Sequence, residues 1–324
     1  MIKRLTFLFS FAFIFILFSA WGFYGHRRIN RMAVFTLPPE MIGFYKAHID
    51  YITTHSIDPD KRRYASEEEA PKHYIDIDYY AKNGENPFEL MPRKWQDAVN
   101  KYTEDTLKAY GIVPWHISSM MTWLTNAFAE RDANKILYLS ADLGHYLADA
   151  HVPLHTTVNY NGQLTDQKGI HGLWESRIPE LMADEYDYLV GRAIYIKQPL
   201  SKTWDILEKS HSYLDSVLLI EKDLSKRFPS DQKYVMEDRG SSTVRQYSHG
   251  YASTYSKRMG DMVESRMRNA ISMVGSYWYT AWVNAGQPDL NFIKDKVNME
   301  AIAEKEEEEA TKAEGQKIKG RAHE

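Results

Sequence analysis

Asn134 to Ala150 reads NKILYLSADLGHYLADA, and its periodicity decides the fold class. Ile136, Leu137, Leu139, Ala141, Leu143, Tyr146 and Leu147 recur at the spacing of an amphipathic helix, and Pro153 stops it just beyond. Two polar residues belong to the same stretch. His145 and Asp149 are four apart, so both leave the helix on one face, one turn from each other. The same period recurs upstream in RINRMAVF (Arg28 to Phe35), which Leu37-Pro38-Pro39 ends. It recurs downstream from Ser256 to Asn284, where Asn284-Ala285-Gly286-Gln287-Pro288 supplies a stop. The cluster SYWYTAW (Ser276 to Trp282) is expected to pack that last helix into the core. Strand-like alternation is confined mainly to His73–Asp78, and long loops are expected at Asn83–Met91 and Asn159–Gly169. The expectation is an all-α protein with one multi-helix domain over residues 21–290.

The composition narrows the chemistry. With 324 residues, 44% of them apolar, the chain has material for a sizeable core and is not globally disordered. A formal charge of −4 gives no general electrostatic case for coating nucleic acid or for polybasic membrane binding. Absence of cysteine excludes disulfide scaffolds, thiolate nucleophiles and cysteine-type zinc fingers. Any metal site must therefore use His, Asp, Glu and backbone groups. Residues 1–20 have a basic head (Lys3, Arg4), an apolar run from Phe7 to Phe18 and a small-residue exit at Ser19-Ala20, the layout of a signal peptide. Phe18 stands where a small residue is preferred, so an uncleaved membrane anchor is the alternative. Residues 291–324, with four consecutive Glu from 306 to 309, read as a charged tail, helical or disordered.

Ligand-type residues occur in a definite order: His26 in WGFYGH, Asp58 and Asp60 in SIDPDKRRY, His73 and Asp76 in HYID, then His145, Asp149 and His155, and finally His171 and Glu175 in HGLWES. Mixed imidazole and carboxylate donors suit zinc; Mg²⁺ and Ca²⁺ want oxygen shells, and a di-iron bundle wants paired Glu-x-x-His motifs. Taken singly each piece is ordinary. His48, His55, His116, His211, His249 and His323 have no such neighbourhood and read as surface or core residues.

In that order the motifs WGFYGH, HYID, HYLADAHVPLH and HGLWE resemble the zinc-dependent phospholipase C and single-strand-specific nuclease superfamily, over Trp21 to about Glu175. The resemblance implies three zinc ions. One would take Asp58, His73, His145 and Asp149, and a second His155, His171 and Glu175. The third would take the amine and carbonyl of Trp21 with His26, sharing Asp149 as a bridge. Asp58 fits the family spacing better than Asp60, and the alternative stays open. Asp58 and Asp149 are the implied catalytic carboxylates. A bridging carboxylate can hold two cations about 3.5–4 Å apart, where water ionises near neutral pH. Asp76, Lys61, Arg62, Tyr74 and His151 are expected beside the metals or the substrate, with Tyr74 a candidate for stacking.

The implied activity is secreted or periplasmic phosphodiester hydrolysis of the phospholipase C type. The alternative is a single-strand-specific nuclease or 3'-nucleotidase, and a non-catalytic zinc scaffold is disfavoured because no ligand is missing. The implied partner is a phospholipid or nucleic-acid phosphoester, with transient membrane-surface contact and no obligate protein partner.

Overall fold

Every residue from Leu139 to Ala150 is buried, and the rest of the molecule is arranged to make that so. The computed structural model describes residues 23–63, 66–82, 84–239 and 242–302. Its main elements are α1 (Phe23–Ala33), α2 (Asp58–Arg63), α3 (Val113–Glu130), α4 (Ala133–Ala150), α5 (Pro199–His211) and α6 (Leu214–Arg227), then strands β1 (Tyr234–Arg239) and β2 (Ser242–Tyr247), then α7 (His249–Met259) and α8 (Met262–Asn284). The all-α expectation holds, and no described helix is long and apolar enough to cross a membrane.

α3 and α4 form a helical hairpin. Pro114 sits in the first turn of α3, where a missing N–H costs nothing, and Arg131 ends it in the left-handed conformation. The Asp132 carboxylate then accepts the Lys135 N–H at 3.0 Å and starts α4. α8 lies over α1, α3 and α4. Trp278 stacks on Tyr45 at 5.0 Å and donates its indole N–H to the Ser140 carbonyl, so the SYWYTAW cluster packs the core as expected. α1 crosses α4 at Gly144, where a Cβ would lie 1.8 Å from Asn30 Oδ1; only glycine permits that approach, one residue before His145. At the far end of α4, Ser210 donates to the Ala150 carbonyl and Arg266 to that of His151, satisfying groups a helix end leaves open.

Several expectations change. The stretch Ser256–Asn284 is two helices, because Gly260 takes φ +67° between α7 and α8. His73–Asp78 forms no strand: two 3₁₀ turns, Ala70–His73 and Ile77–Tyr80, flank an extended link. Its alternation arises because Ile75 and Ile77 face the core, while the Ile75 N–H pairs with the His155 carbonyl and the Asp76 N–H with that of Tyr110. The described strands lie instead in the β1–β2 hairpin, in antiparallel register from Tyr234↔Tyr247 to Arg239↔Ser242. Within Asn83–Met91 a short helix, Pro87–Leu90, is capped by Asn86. Part of the expected tail packs on the domain, with Ile293 and Ile302 buried in the core. Residues 303–324 lie outside the described residues, as does the 1–20 segment.

Candidate metal centre

Six separate pieces of chain bring the ligand-type residues together. α1 supplies His26, α2 supplies Asp60, the 3₁₀ turn Ala70–His73 supplies His73, and α4 supplies His145 and Asp149. The turn Pro153–Thr156 supplies His155. His171 lies in the helical turn Ile170–Gly172, and Glu175 in the π-helical turn Leu173–Arg177 that continues it. Such π turns are frequent at functional sites. Three groups result: Asp60, His73 and His145; His26, His145 and Asp149, which share His145; and, separately, His155, His171 and Glu175. Within each group one donor atom per residue lies within 4.8 Å of the others.

Asp149 sits at the centre with its two oxygens facing different ways. Oδ2 lies 2.9 Å from His73 Nδ1 and 3.3 Å from His145 Nε2, while Oδ1 lies 3.4 Å from His26 Nε2. Asp60 Oδ1 is 3.8 Å from both His73 Nδ1 and His145 Nε2. In the third group His171 Nε2 is 2.6 Å from Glu175 Oε2 and 3.2 Å from His155 Nε2. Glu175 Oε1 reaches back to within 3.5 Å of His26, so the groups are contiguous.

The outward nitrogens show what the inward ones present. His145 Nδ1 donates to the Ser56 carbonyl at 2.8 Å, His155 Nδ1 to that of His73 at 2.7 Å, and His171 Nδ1 to that of Tyr160 at 3.1 Å. A carbonyl only accepts, so each Nδ1 carries a proton, and each ring in its neutral form turns an Nε2 lone pair inward. His155 and His171 therefore aim two lone pairs at each other, beside the Glu175 carboxylate. Such an array attracts positive charge, and two imidazoles with one carboxylate are a zinc-type donor set.

Electrostatics agree. Burial would raise the Asp149 carboxyl, but the His145 and His155 charges hold it well below the usual range; His155 first among its neighbours does the same for Glu175. Burial works against a charged His155, yet Asp149 and Glu175 push it up to about 9. These groups compete for positive charge, whether proton or metal.

The expected residues fall into place unevenly. His26, His73, His145, Asp149, His155, His171 and Glu175 converge. Asp58 does not: its carboxylate accepts from His55 Nδ1 and from Lys61 Nζ, each at 2.6 Å, and it is Asp60 that turns to His73 and His145. About half a turn of α2 separates the choices, so the two carboxylates leave on different faces and Asp60 is the one presented to the centre. Lys61 is thus occupied with Asp58, and Arg62 with Asp142 at 2.6 Å. Tyr74 is buried at 4% exposure and packs against Gly111, which leaves it no open face for stacking. Asp76 is buried on the link after His73. His151 is buried at the end of α4, donating Nδ1–H to the Leu147 carbonyl, and lines a cavity of about 30 Å³ with His26 and Glu175. Trp21 lies outside the described residues.

Three supporting residues were not anticipated. Glu69 Oε1 lies 3.7 Å from His73 Nε2. Asn161 Oδ1 accepts the backbone N–H groups of Gly169 and His171, and the Asp78 carboxylate accepts from Thr157 Oγ and the Val158 N–H. Only Glu69 had a readable signal, its four-residue spacing from His73, and the run Glu67–Glu69 disguises it as a solvated face.

A comparison with curated proteins gives no match. The model of the family described as zinc dependent phospholipase C matches residues 25–238, which span every converging ligand from His26 to Glu175. On that match and this centre, the chain belongs to the zinc dependent phospholipase C family.

Proposed function

We propose that this zinc phosphoesterase hydrolyses a phospholipid phosphodiester on the head-group side of glycerol. The observation that carries the reading is the convergence of imidazole nitrogens and carboxylates in three neighbouring groups, two of them linked by His145 and Asp149 and the third reaching them through Glu175 and His26. Zinc bound there supplies Lewis acidity toward a phosphoryl oxygen and lowers the pKa of water. The chain's own residues do the positioning. Asp149 offers one oxygen to each of two neighbouring groups, Asp60, His73 and His145 complete one side, and His155, His171 and Glu175 form another. Burial of these side chains keeps their charges unscreened. Support for a lipid substrate comes from the family description and from Leu164, 68% exposed on the Asn159–Gly169 loop. That loop also carries the Tyr160 carbonyl and the Asn161 side-chain amide that hold the His171 turn.

We further propose that cleavage after Ala20 exports the protein and frees the Trp21 amine as a ligand with His26. An amide nitrogen is a poor zinc ligand because its lone pair is delocalised, whereas a free α-amine is a good one. The substrate test is a side-by-side assay of the zinc-loaded protein on a phosphocholine diester, single-stranded DNA and a nucleoside 3'-monophosphate. The diester is expected to be the best substrate. Faster hydrolysis of DNA or the 3'-monophosphate would overturn the lipid reading in favour of a nuclease or nucleotidase. Chains beginning at Trp21 and at an added Met before Trp21 test the terminus; equal zinc content and turnover would overturn its role.

A further inference from the structure

His73 is held unlike the other rings of the centre. His145, His155 and His171 rest Nδ1–H on backbone carbonyls and face inward with Nε2. His73 is turned the other way, with Nδ1 toward Asp149, His145 and Asp60. Its Nε2 is buried, has no hydrogen-bond partner within bonding distance, and faces Glu69 Oε1 at 3.7 Å.

Glu69 is itself 3% exposed, and an ionised carboxylate at that depth is costly unless donors surround it. Three do. The Tyr146 hydroxyl donates to Oε1, Lys72 Nζ donates to Oε2 at 2.7 Å, and the Arg62 guanidinium lies 3.8 Å from Oε1 while bound to Asp142. Each donor neighbours a converging ligand in sequence: Tyr146 follows His145, Lys72 precedes His73, and Arg62 is two residues after Asp60. The carboxylate thus ties together the three pieces of chain that carry one group of ligands.

We propose that Glu69 is a positioning residue for the metal centre: it takes the Nε2–H of His73, fixing the tautomer that leaves Nδ1 as the metal donor. Both ring nitrogens face a carboxylate, Nδ1 at 2.9 Å from Asp149 and Nε2 at 3.7 Å from Glu69; with a cation bound among Asp149, His145 and Asp60, Nδ1 gives up its proton to that cation and the remaining proton sits on Nε2, toward Glu69. A carboxylate partner also raises the donor strength of the opposite nitrogen more than a carbonyl does. The cation shared by His73, His145 and Asp60 is therefore the tightest held of the set. This inference rests on the reading that His73 binds zinc.

The test compares wild type, Glu69→Gln and Lys72→Met, all as the mature chain. Both variants break the Glu69–Lys72 ion pair, but only the first removes the charge facing His73. Zinc affinity by chelator competition and the visible spectrum of cobalt-substituted protein are the readouts. Glu69→Gln is expected to lower the tightest affinity about 10–100-fold and to shift the cobalt bands. Lys72→Met is expected to change affinity by no more than about threefold, the scale of a partly exposed ion pair. Equal losses in both variants, or wild-type affinity and spectrum in Glu69→Gln, would overturn the proposal. Should Glu69→Gln fail to fold, nitrogen-15 NMR of the zinc-loaded wild type decides: a protonated Nε2 on His73 is expected, and a protonated Nδ1 overturns it. Wild-type protein that takes up no zinc would instead overturn the reading on which the proposal depends.

Discussion

The Asp60–His73–His145 side of the centre and the His155–His171–Glu175 side use similar ligands but secure them differently. On the first side, apart from the Ser56 carbonyl that holds His145, the supports are side chains in buried or partly buried positions: Glu69, Arg62 of α2, and Tyr146 and Asp142 of α4. On the second they are largely backbone groups and short-range turns. His155 and His171 lean on the carbonyls of His73 and Tyr160, Asn161 clamps the chain at Gly169, and Arg177 donates to the Tyr247 carbonyl and pairs with Glu237 on the hairpin. Both outer carboxylates keep some side-chain exposure, Asp60 23% and Glu175 14%, while the central Asp149 has 1%. A site wedged between packed helices resists loosening, because moving one ligand disturbs a core at crystal-like density. A site carried by a surface loop opens at lower cost. The expected outcome of this contrast is that an ion on the second side exchanges before one on the first.

The largest effect belongs to Asp149, whose two oxygens face the histidines of both neighbouring groups. Asp149→Asn removes the charge that faces His26 on one side and His73 and His145 on the other, so hydrolysis should be abolished and two ions lost together. Zinc stoichiometry with a phosphodiester assay checks this, and full activity in a folded Asp149→Asn protein would falsify the bridged arrangement. Next comes the pair Asp60 and Asp58. Asp60→Asn should lower kcat/KM at least about 100-fold, the upper end of what outer-shell losses cost. Asp58→Asn, which loses only its contacts to His55 and Lys61, should stay within about tenfold. The reverse ranking would restore Asp58 as the ligand.

Glu175→Gln sharpens the contrast between the sides directly. During chelator titration followed by mass spectrometry, this variant should lose one ion early and keep the Asp149-linked pair. Simultaneous loss of every ion would mean the sides are not independent. The smallest effect is expected at Gly169, whose φ of +93° starts the turn that carries His171 and whose Cβ position lies 3.2 Å from the Tyr247 hydroxyl. Gly169→Ala should cost about 1–2 kcal/mol of stability through left-handed backbone strain. Thermal unfolding should register it, with zinc affinity reduced on the second side alone. A matching loss on the first side would break the comparison.

Much of this centre was readable before any coordinates. His145 and Asp149 share a helical face because four residues make about one turn, and that rule holds wherever the helix is placed. The i, i+4 relation of His171 and Glu175 survived even though the backbone there is π-helical, since the Gly169 turn begins the segment where the residues suggested. The choice between Asp58 and Asp60 was not readable by spacing. It depends on whether the chain at residue 58 is already helical, and that is decided by how Ser56 meets His145 through its carbonyl. The break at Gly260 was hidden for a related reason: apolar period continues across it, while a positive φ leaves no trace in a hydrophobic pattern.

Helix class, the order of the ligands and the absence of thiol chemistry follow from residue types and short-range periods, which depend on bonded geometry within a few positions. Glu69 belongs to another category. Its local context, three consecutive glutamates, describes a wet surface, and only the packing of α2, α4 and the Ala70–His73 turn buries it against His73. The β1–β2 hairpin is similar, for its strands are short and half exposed and gain their place from the Arg177 clasp. Burial and long-range charge pairing are properties of the assembled interior. They emerge once elements far apart in the chain exclude water from the same volume, and that is why seven of the converging residues could be named from the sequence while the groups that hold them in place could not.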